Sequence, residues 1–437
     1  MDYETNMTEE TKPEETKTEE IKPEDPKPED FDPEEKKRMT RRFISGVLIG
    51  VMCTAFVFSG VIIASMYRSF GGMSPSGIMD EGTAIKVRKL EELIDSNYYK
   101  TDVDKEKERD GLYRGLLASL EDPYSVYYSK EDLLSFMSDS KGIYYGIGAY
   151  VAMDPKLNMP RISSVIPGTP AEEAGLMQDD IICEVDKESI SGLTTDEVVS
   201  RIKGEENTTV HLTLERKGKD DRIEVDVYRR KIEVPTVAGE TLDNGVGYIQ
   251  IKEFDDVTYN QFVEKMAELK ADDLNGLIID LRGNPGGSLQ VVCDILDQIL
   301  EKGKLIVYTE DRDGNRVDYK CKDEHKLDIP IVLLVNEYSA SASEIMAGAL
   351  KDYGKATLVG TKTFGKGIVQ SVYDLSDGTA VKLTVSSYFT PNGNNIHGIG
   401  IEPDVEIELD VEALSEEEKD NQLDKAVEVM NDLLDKE

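Results

Sequence analysis

The sequence predicts an α/β core toward its C-terminal end, a β-rich unit placed before that core, a helical collar, and one membrane-spanning helix. Three observations predict it. Strand and helix patterns alternate from residue 231 onward, short strands follow one another from about Gly142 to Arg230, and Phe43 to Tyr67 is an uncharged apolar run. That run is long enough to cross a hydrocarbon core of about 30 Å as a helix. At 437 residues the chain has room for two or three domains with sizeable cores. A net charge of -37 argues against a nucleic-acid partner, because binding a phosphate backbone demands an excess of Lys and Arg, and the chain has 51 of these against 88 Asp and Glu.

Residues 1–35 hold 15 Asp or Glu against 4 Lys, with repeated Lys-Pro-Glu units and few apolar residues. Such a segment buries too little surface to fold, so residues 1–42 are expected to be a disordered acidic tail. Lys36, Lys37, Arg38, Arg41 and Arg42 immediately precede the apolar run. A positive flank stays inside, which puts the tail in the cytoplasm and the remainder of the chain beyond the cell membrane. A cleavable signal would have a shorter apolar run and would not follow so long an acidic leader. The expectation is a retained single-pass anchor over 43–67.

Residues 68–138 read as a linker and helical collar. Leu90, Leu93 and Ile94, then Leu112, Leu116 and Leu117, recur at helical spacing until Asp122-Pro123 breaks the run. A further helix is expected over 131–138, with Leu133, Leu134 and Met137 on one face. No chemistry is visible in these helices. They are a candidate lid or a surface for a homodimer, and plain packing is the simpler role.

Residues 139–230 change character. A glycine-rich turn and strand, Tyr145-Gly-Ile-Gly148-Ala-Tyr-Val151, is followed by the strand Pro160–Pro167, by Pro170-Ala-Glu-Glu-Ala-Gly175, by the strand around Asp179–Val185, and by a short amphipathic helix from Thr194 to Lys203. In this order the segment resembles a PDZ domain of the circularly permuted kind found in bacterial proteases. The resemblance implies that backbone N–H groups at Gly146, Ile147 and Gly148 hold a peptide carboxylate while the next strand pairs with the peptide. Val198 and Ile202 would then line the groove.

The core, 231–410, has a strand at Val246–Ile251, a helix over 258–270 and a buried strand, Gly276-Leu-Ile-Ile-Asp-Leu281. That strand ends in Arg282-Gly-Asn-Pro-Gly-Gly287-Ser-Leu, where glycines leave N–H groups unobstructed, a natural place for an oxyanion hole. The strand Ile331–Val335 turns at Asn336-Glu-Tyr-Ser into a helix. A serine at such a turn lies beside exposed N–H groups at the positive helix end, and by chemistry alone Ser339, Ser341 and Ser343 compete for the role. Phe364-Gly-Lys366-Gly suits a desolvated amine. Lysine acts as a base only if burial lowers its pKa from about 10.4 toward neutrality, and Ser341 lies 25 residues before it.

Four segments in order carry a decisive resemblance: Asp280–Gly287, Ser339–Ile345, Thr363-Phe-Gly-Lys-Gly-Ile-Val-Gln370 and Gly398-Ile-Gly-Ile-Glu-Pro-Asp404. With the PDZ-like insert before them, they resemble the carboxyl-terminal processing peptidases, or tail-specific proteases, over about residues 84–435. The resemblance implies a crotonase- or Clp-protease-like core and serine endopeptidase activity on proteins gripped by exposed C-termini. It puts the nucleophile on Ser341, the general base on Lys366, the residue orienting that lysine on Gln370, and the oxyanion donors on the N–H groups of Ala342 and Gly287.

The Gly283-Asn-Pro-Gly-Gly-Ser-Leu289 stretch is similar to the signature of His-dependent serine proteases, but Pro285 occupies the nucleophile position and excludes that mechanism there. His397 replaces a more usual glutamine and reads as a polar residue rather than a base. Lys203 aligns with a substrate-sensing arginine, which removes bidentate contacts. Four cysteines are too few for a disulfide framework, and Cys183, Cys293 and Cys321 read as buried or free thiols. With only His211, His325 and His397 and no clustered spacing, neither metal nor organic cofactor is expected. Residues 411–437 read as a charged C-terminal helix starting at Ser415, with Glu418 completing a capping box.

Overall fold

The computed structural model describes residues 77–437 except 271, 272, 325, 326, 418 and 437. The expected acidic tail and apolar span lie outside the described residues. Among those described, no helix is long and apolar enough to cross a membrane. The chain divides into two units, ending at Val103 and beginning at Asp104. In the first, α1 (Glu81–Asn97) is capped by Asp80, whose carboxylate accepts the Thr83 N–H at 2.7 Å. Its apolar row, Leu90, Leu93 and Ile94, remains open to solvent.

The second unit starts with α2 (Lys105–Ala118), capped by Asp104. The break at Asp122-Pro123 is a tight turn in which the Asp122 carboxylate accepts the Tyr124 N–H at 3.0 Å and the Ser125 hydroxyl at 2.6 Å. It delivers the chain into β1 (Val126–Tyr128), then into α3 (Lys130–Lys141), which a Ser129–Asp132 capping box starts and Gly142, at φ 62°, stops.

The β-rich unit contains β2 (Ile143–Gly146), β3 (Ala149–Met153), β4 (Pro160–Val165), α4 (Pro170–Glu173), β5 (Ile181–Val185), β6 (Glu188–Ser189), α5 (Thr195–Ile202), β7 (Thr209–Glu215), β8 (Ile223–Tyr228) and β9 (Arg230–Glu233). Its sheet runs β3-β4-β5-β7-β8, with β6 beside β5. Leading in and out, β2 and β9 pair with each other as a separate antiparallel ribbon. Ile162, Ile182, Leu212 and Leu214 are fully buried and form the centre of this unit. The buried Arg229 guanidinium donates to the carbonyls of Arg201 and Ile202, satisfying acceptors that the end of α5 would otherwise leave orphaned.

Two sheets build the core. The first joins β10 (Val237–Thr241), β11 (Val246–Ile251), β12 (Gly276–Asp280), β15 (Ile331–Val335), β16 (Ala356–Gly360) and β19 (Val405–Glu406), in that order and parallel except for β10. Between these strands come α6 (Thr258–Glu268), α7 (Leu289–Asp297) and α8 (Ala342–Asp352). Because both faces are covered, β12 and β15 are apolar without alternation: Leu277 and Ile279 join the larger core with α7 and α8, and Ile278 joins the smaller one with Ala426 and Met430. The second sheet contains β13 (Leu305–Asp311), β14 (Arg316–Lys320), β17 (Ile368–Asp374) and β18 (Ala380–Phe389), and β1 is added to β18.

The C-terminal segment differs from the single helix expected. It is two helices, α9 (Val411–Glu417) and α10 (Asn421–Leu434), and Ser415 lies inside the first, its hydroxyl donating back to the Glu412 carbonyl. Asp420 is the true cap of the long helix, accepting from the N–H groups of Gln422 and Leu423. Its carboxylate also receives the Arg282 guanidinium, which forks between Asp420 and the fully buried Asp280, and so α10 is tied to the end of β12. Cys183, Cys293 and Cys321 are buried free thiols.

Candidate active site

The parallel sheet ends at two loops that face each other. β15 runs out through Asn336–Ala340 and turns at Ser341 into α8, and Ser341 holds φ 55° and ψ -111°, a conformation that costs a residue with a Cβ free energy. Ser339 and Ser343 are fully buried, with hydroxyls donating to the carbonyls of Leu281 and Asn284, whereas Ser341 is half-buried and lines a cavity of about 560 Å³. Of the three serines that chemistry alone left in competition, two have structural work to do.

The glycine loop after β12 packs on that turn. A Cβ on Gly286 would come within 2.8 Å of the Ser341 Cβ and 2.7 Å of the Ala340 carbonyl oxygen, and one on Gly287 within 2.4 Å of the Phe254 carbonyl oxygen. Their φ angles, 108° and 138°, also suit only glycine. The Gly286 N–H is used internally, donating to Asn284 Oδ1 at 2.8 Å. Among the described residues the N–H groups of Gly287 and Ala342 donate to no other group, and both residues line the cavity with Ser341.

Lys366 lines the same cavity from the segment preceding β17. Burial, with Lys382 beside it, pulls the Lys366 ammonium below the usual lysine range, against the opposing pull of Asp122 and Glu344. The Tyr124 ring lies under its Nζ, 4.4 Å from centroid to nitrogen.

Two buried side chains clamp the backbone of Ser341 to that of Lys366. Glu344, fully buried on the first turn of α8, accepts the Ser341 N–H at 2.9 Å and the Lys366 N–H at 2.8 Å on one oxygen. Its other oxygen accepts the Gly365 N–H at 2.7 Å and the Thr363 hydroxyl at 2.6 Å. Four donors thus fill the four lone-pair positions of one carboxylate. On the carbonyl side, the buried Tyr388 hydroxyl sits between the Ser341 oxygen, at 2.9 Å, and the Lys366 oxygen.

Gln370 also lines the cavity, but its amide donates to Thr384 Oγ1 at 3.3 Å and approaches the Ile368 carbonyl at 3.5 Å rather than the lysine amine. An irregularity between Val369 and Gln370 interrupts the alternation that would have put residues four apart on one face. Glu344, Tyr388, Lys382 and Tyr124 were not found from sequence. Only Glu344 left a signal there, as the acid closing the Ser339–Ile345 run.

The residues assigned to a peptide groove lie elsewhere. Ile147, Val198 and Ile202 are 2%, 0% and 4% exposed and belong to the hydrophobic centre of the β-rich unit, so they offer no groove surface in this conformation. The expectation for Val198 and Ile202 is corrected by the register of α5, whose apolar stripe turns inward onto the sheet. Gly148, at φ 86°, is pressed against Thr169, where a Cβ would come within 2.3 Å of the threonine Cβ. Gly146 ends β2, and the exposed Lys203 follows α5 with its Nζ 5.2 Å from the Tyr144 ring centroid. His397 is exposed.

Comparison with known proteins gives three family matches in order: the N-terminal domain of the activating protease CtpB over residues 73–132, a PDZ domain over 161–216 and peptidase family S41 over 245–407. The chain is similar to the carboxy-terminal processing protease CtpA of Bacillus subtilis, with 40% identity over 74% of this chain and 69% of that one. It is similar also to a Staphylococcus aureus protein ascribed to the CtpA-like serine proteases, with 37% identity over 84% of this chain and 72% of the relative. A solved Bacteroides fragilis structure ascribed to the S41 proteases shares the fold, at a TM-score of 0.50 and 21% identity over 73% of this chain and 90% of that one.

Proposed function

Because the chain belongs to peptidase family S41 and is a serine protease of the carboxy-terminal processing type, we propose that it cleaves its protein substrates with a Ser341–Lys366 dyad. The observation carrying this reading is the shared cavity: a strained serine, a desolvated lysine and two undonated N–H groups open onto the same space. Lys366, neutral, takes the Ser341 proton as Oγ attacks the scissile carbonyl. The N–H groups of Gly287 and Ala342 receive the oxyanion, and the Lys366 ammonium returns its proton to the leaving amine. Water then attacks the acyl-serine by the same route, releasing the new carboxylate and restoring the hydroxyl.

Labelling with a fluorophosphonate, located by mass spectrometry, tests the dyad. The label belongs on Ser341. Ser341→Ala abolishes labelling and peptide cleavage, Lys366→Ala does nearly the same, and both retain the native circular dichroism. Activity lost in Ser343→Ala but kept in Ser341→Ala refutes the assignment.

Location is part of the same proposal. The basic cluster before Phe43 and the uncharged run to Tyr67 support an anchored enzyme with its catalytic region outside the cytoplasm, acting on extracytoplasmic proteins held by their C-terminal tails. Protease added to spheroplasts is expected to digest residues 77–437 while sparing a tag at residue 1, and loss of that tag refutes the orientation.

A further inference from the structure

The turn before β1 belongs to the collar, yet it reaches the reacting lysine. Asp122 closes the turn by accepting from Tyr124 N–H and Ser125 Oγ, and the buried Ser125 Oγ accepts the Thr384 N–H of β18 at 3.0 Å. Immediately afterward Val126 pairs with Lys382 in the β1–β18 ladder. The turn is therefore pinned to β18 at successive positions, and the pinning delivers the Tyr124 ring to 4.4 Å from Lys366 Nζ. An aromatic face attracts an ammonium and has no comparable attraction for a neutral amine.

The charged groups around this nitrogen are known. Lys382 of β18 repels an ammonium, whereas Asp122 of the turn and Glu344 of α8 attract it. Asp139, Glu253, Asp255 and Asp256 line the same cavity, and His397 lies against Gly367 and acts electrostatically on Asp122. Lys382 is itself held over the Tyr128 and Phe136 rings, at 5.5 and 5.2 Å. Both the attracting ring and the repelling cation are thus positioned by the N-terminal collar.

We propose that Tyr124 is a positioning residue for the catalytic lysine: its ring face stabilises the ammonium that Lys366 becomes as it takes the serine proton. The inference rests on the reading of Lys366 as the base. It gives the collar a role in the chemistry that neither its helical pattern nor its short strand indicates.

The signature lies in the pH profile of kcat/KM. Below the acid limb both the resting enzyme and the transition state carry an ammonium, so losing the ring weakens both alike and leaves the rate unchanged. Above it only the transition state carries the charge. Tyr124→Leu, which keeps the apolar cover but loses the ring, should follow the wild-type curve at low pH. It should then level off earlier, with the bend between limb and plateau about 0.5–1 pH unit lower and its plateau about 3–10-fold lower. Tyr124→Phe should retain the wild-type profile.

The assay uses an internally quenched peptide and the folded chain, with Lys366→Ala alongside. A Lys366→Ala enzyme that keeps the wild-type profile overturns the base assignment and the inference with it. A dead Lys366→Ala enzyme beside a Tyr124→Leu profile lowered equally at every pH overturns the role of Tyr124 alone. Should Tyr124→Leu fail to fold, a trifluorinated phenylalanine at position 124 keeps the shape and weakens the ring face. The same parting of the two curves supports the proposal, and a profile identical to that of Tyr124→Phe overturns it.

Discussion

At the scale of single residues, the S41 site is held by a carboxylate that touches neither substrate nor reacting atoms. Glu344 joins the N–H of the nucleophile to the N–H of the base, and replacing one oxygen by an amide NH₂ would set a donor against two donors. Glu344→Gln should therefore lower kcat by about 100-fold with little change in KM, as misplacement of a reacting pair does, and steady-state kinetics on a peptide substrate will check it. Asp255 gives a different test. Burial, then Glu253, Asp256 and Asp139, push its carboxyl up to about 7. A carboxyl raised in the folded state takes nothing from stability below about pH 3.9 and progressively more as pH climbs to about 7. Asp255→Asn should then melt about 2–4 °C higher than wild type at about pH 8 and no differently at about pH 4, by calorimetry. The serines and glycines of the site were legible in sequence because a tight turn restricts which residue types can occupy it. Glu344 was not, because three of its four partners are 19 to 22 residues away and two of those are backbone N–H groups.

At the scale of elements, α10 depends on its first contacts. Asp420 is both its cap and a partner of Arg282. Burial opposes the charged form of Asp420, and the hydrogen bonds and charge of Arg282 together with the Leu423 and Gln422 N–H groups outweigh it, holding the carboxyl below its usual range. Asp420→Ala should cost about 2–3 kcal/mol in urea denaturation, combining a lost cap with a lost charge-assisted bond. Asp420→Asn, which can still cap, should cost less. Hydrogen exchange across 421–434 should rise in the alanine variant first. Apolar runs made β12 and β15 readable, and regular spacing made α1 and α2 readable. β1 was missed because three residues, Val126 to Tyr128, are too few to show a period. The apolar positions of α5 were read correctly as a stripe, but periodicity does not say whether a stripe faces a groove or a core.

At the scale of the whole molecule, the PDZ unit is an insertion that both enters and leaves the peptidase through the β2–β9 ribbon. A rigid unit on such a ribbon suits a gate, in which a docked tail shifts the population of the competent site. Added tail peptide should then accelerate cleavage of a short substrate that lacks any tail. A simple tether predicts no change or inhibition. Lys203 lies beside Tyr144 of that ribbon, and under the gate Lys203→Ala should blunt the response. The order of collar, PDZ unit and core was legible in sequence, yet their boundaries in the chain are not boundaries in the sheets. β13 and β1 share one flank of β18, covering Ser386–Phe389 and Ala380–Lys382 respectively, while β17 takes the other. A chain begun at residue 139 would uncover the half of that flank holding Lys382 and offer an open strand edge to any neighbouring copy. The smallest transplantable peptidase therefore begins near Asp104, where the second unit begins, and shorter excisions should be recovered as aggregates rather than as weak enzymes.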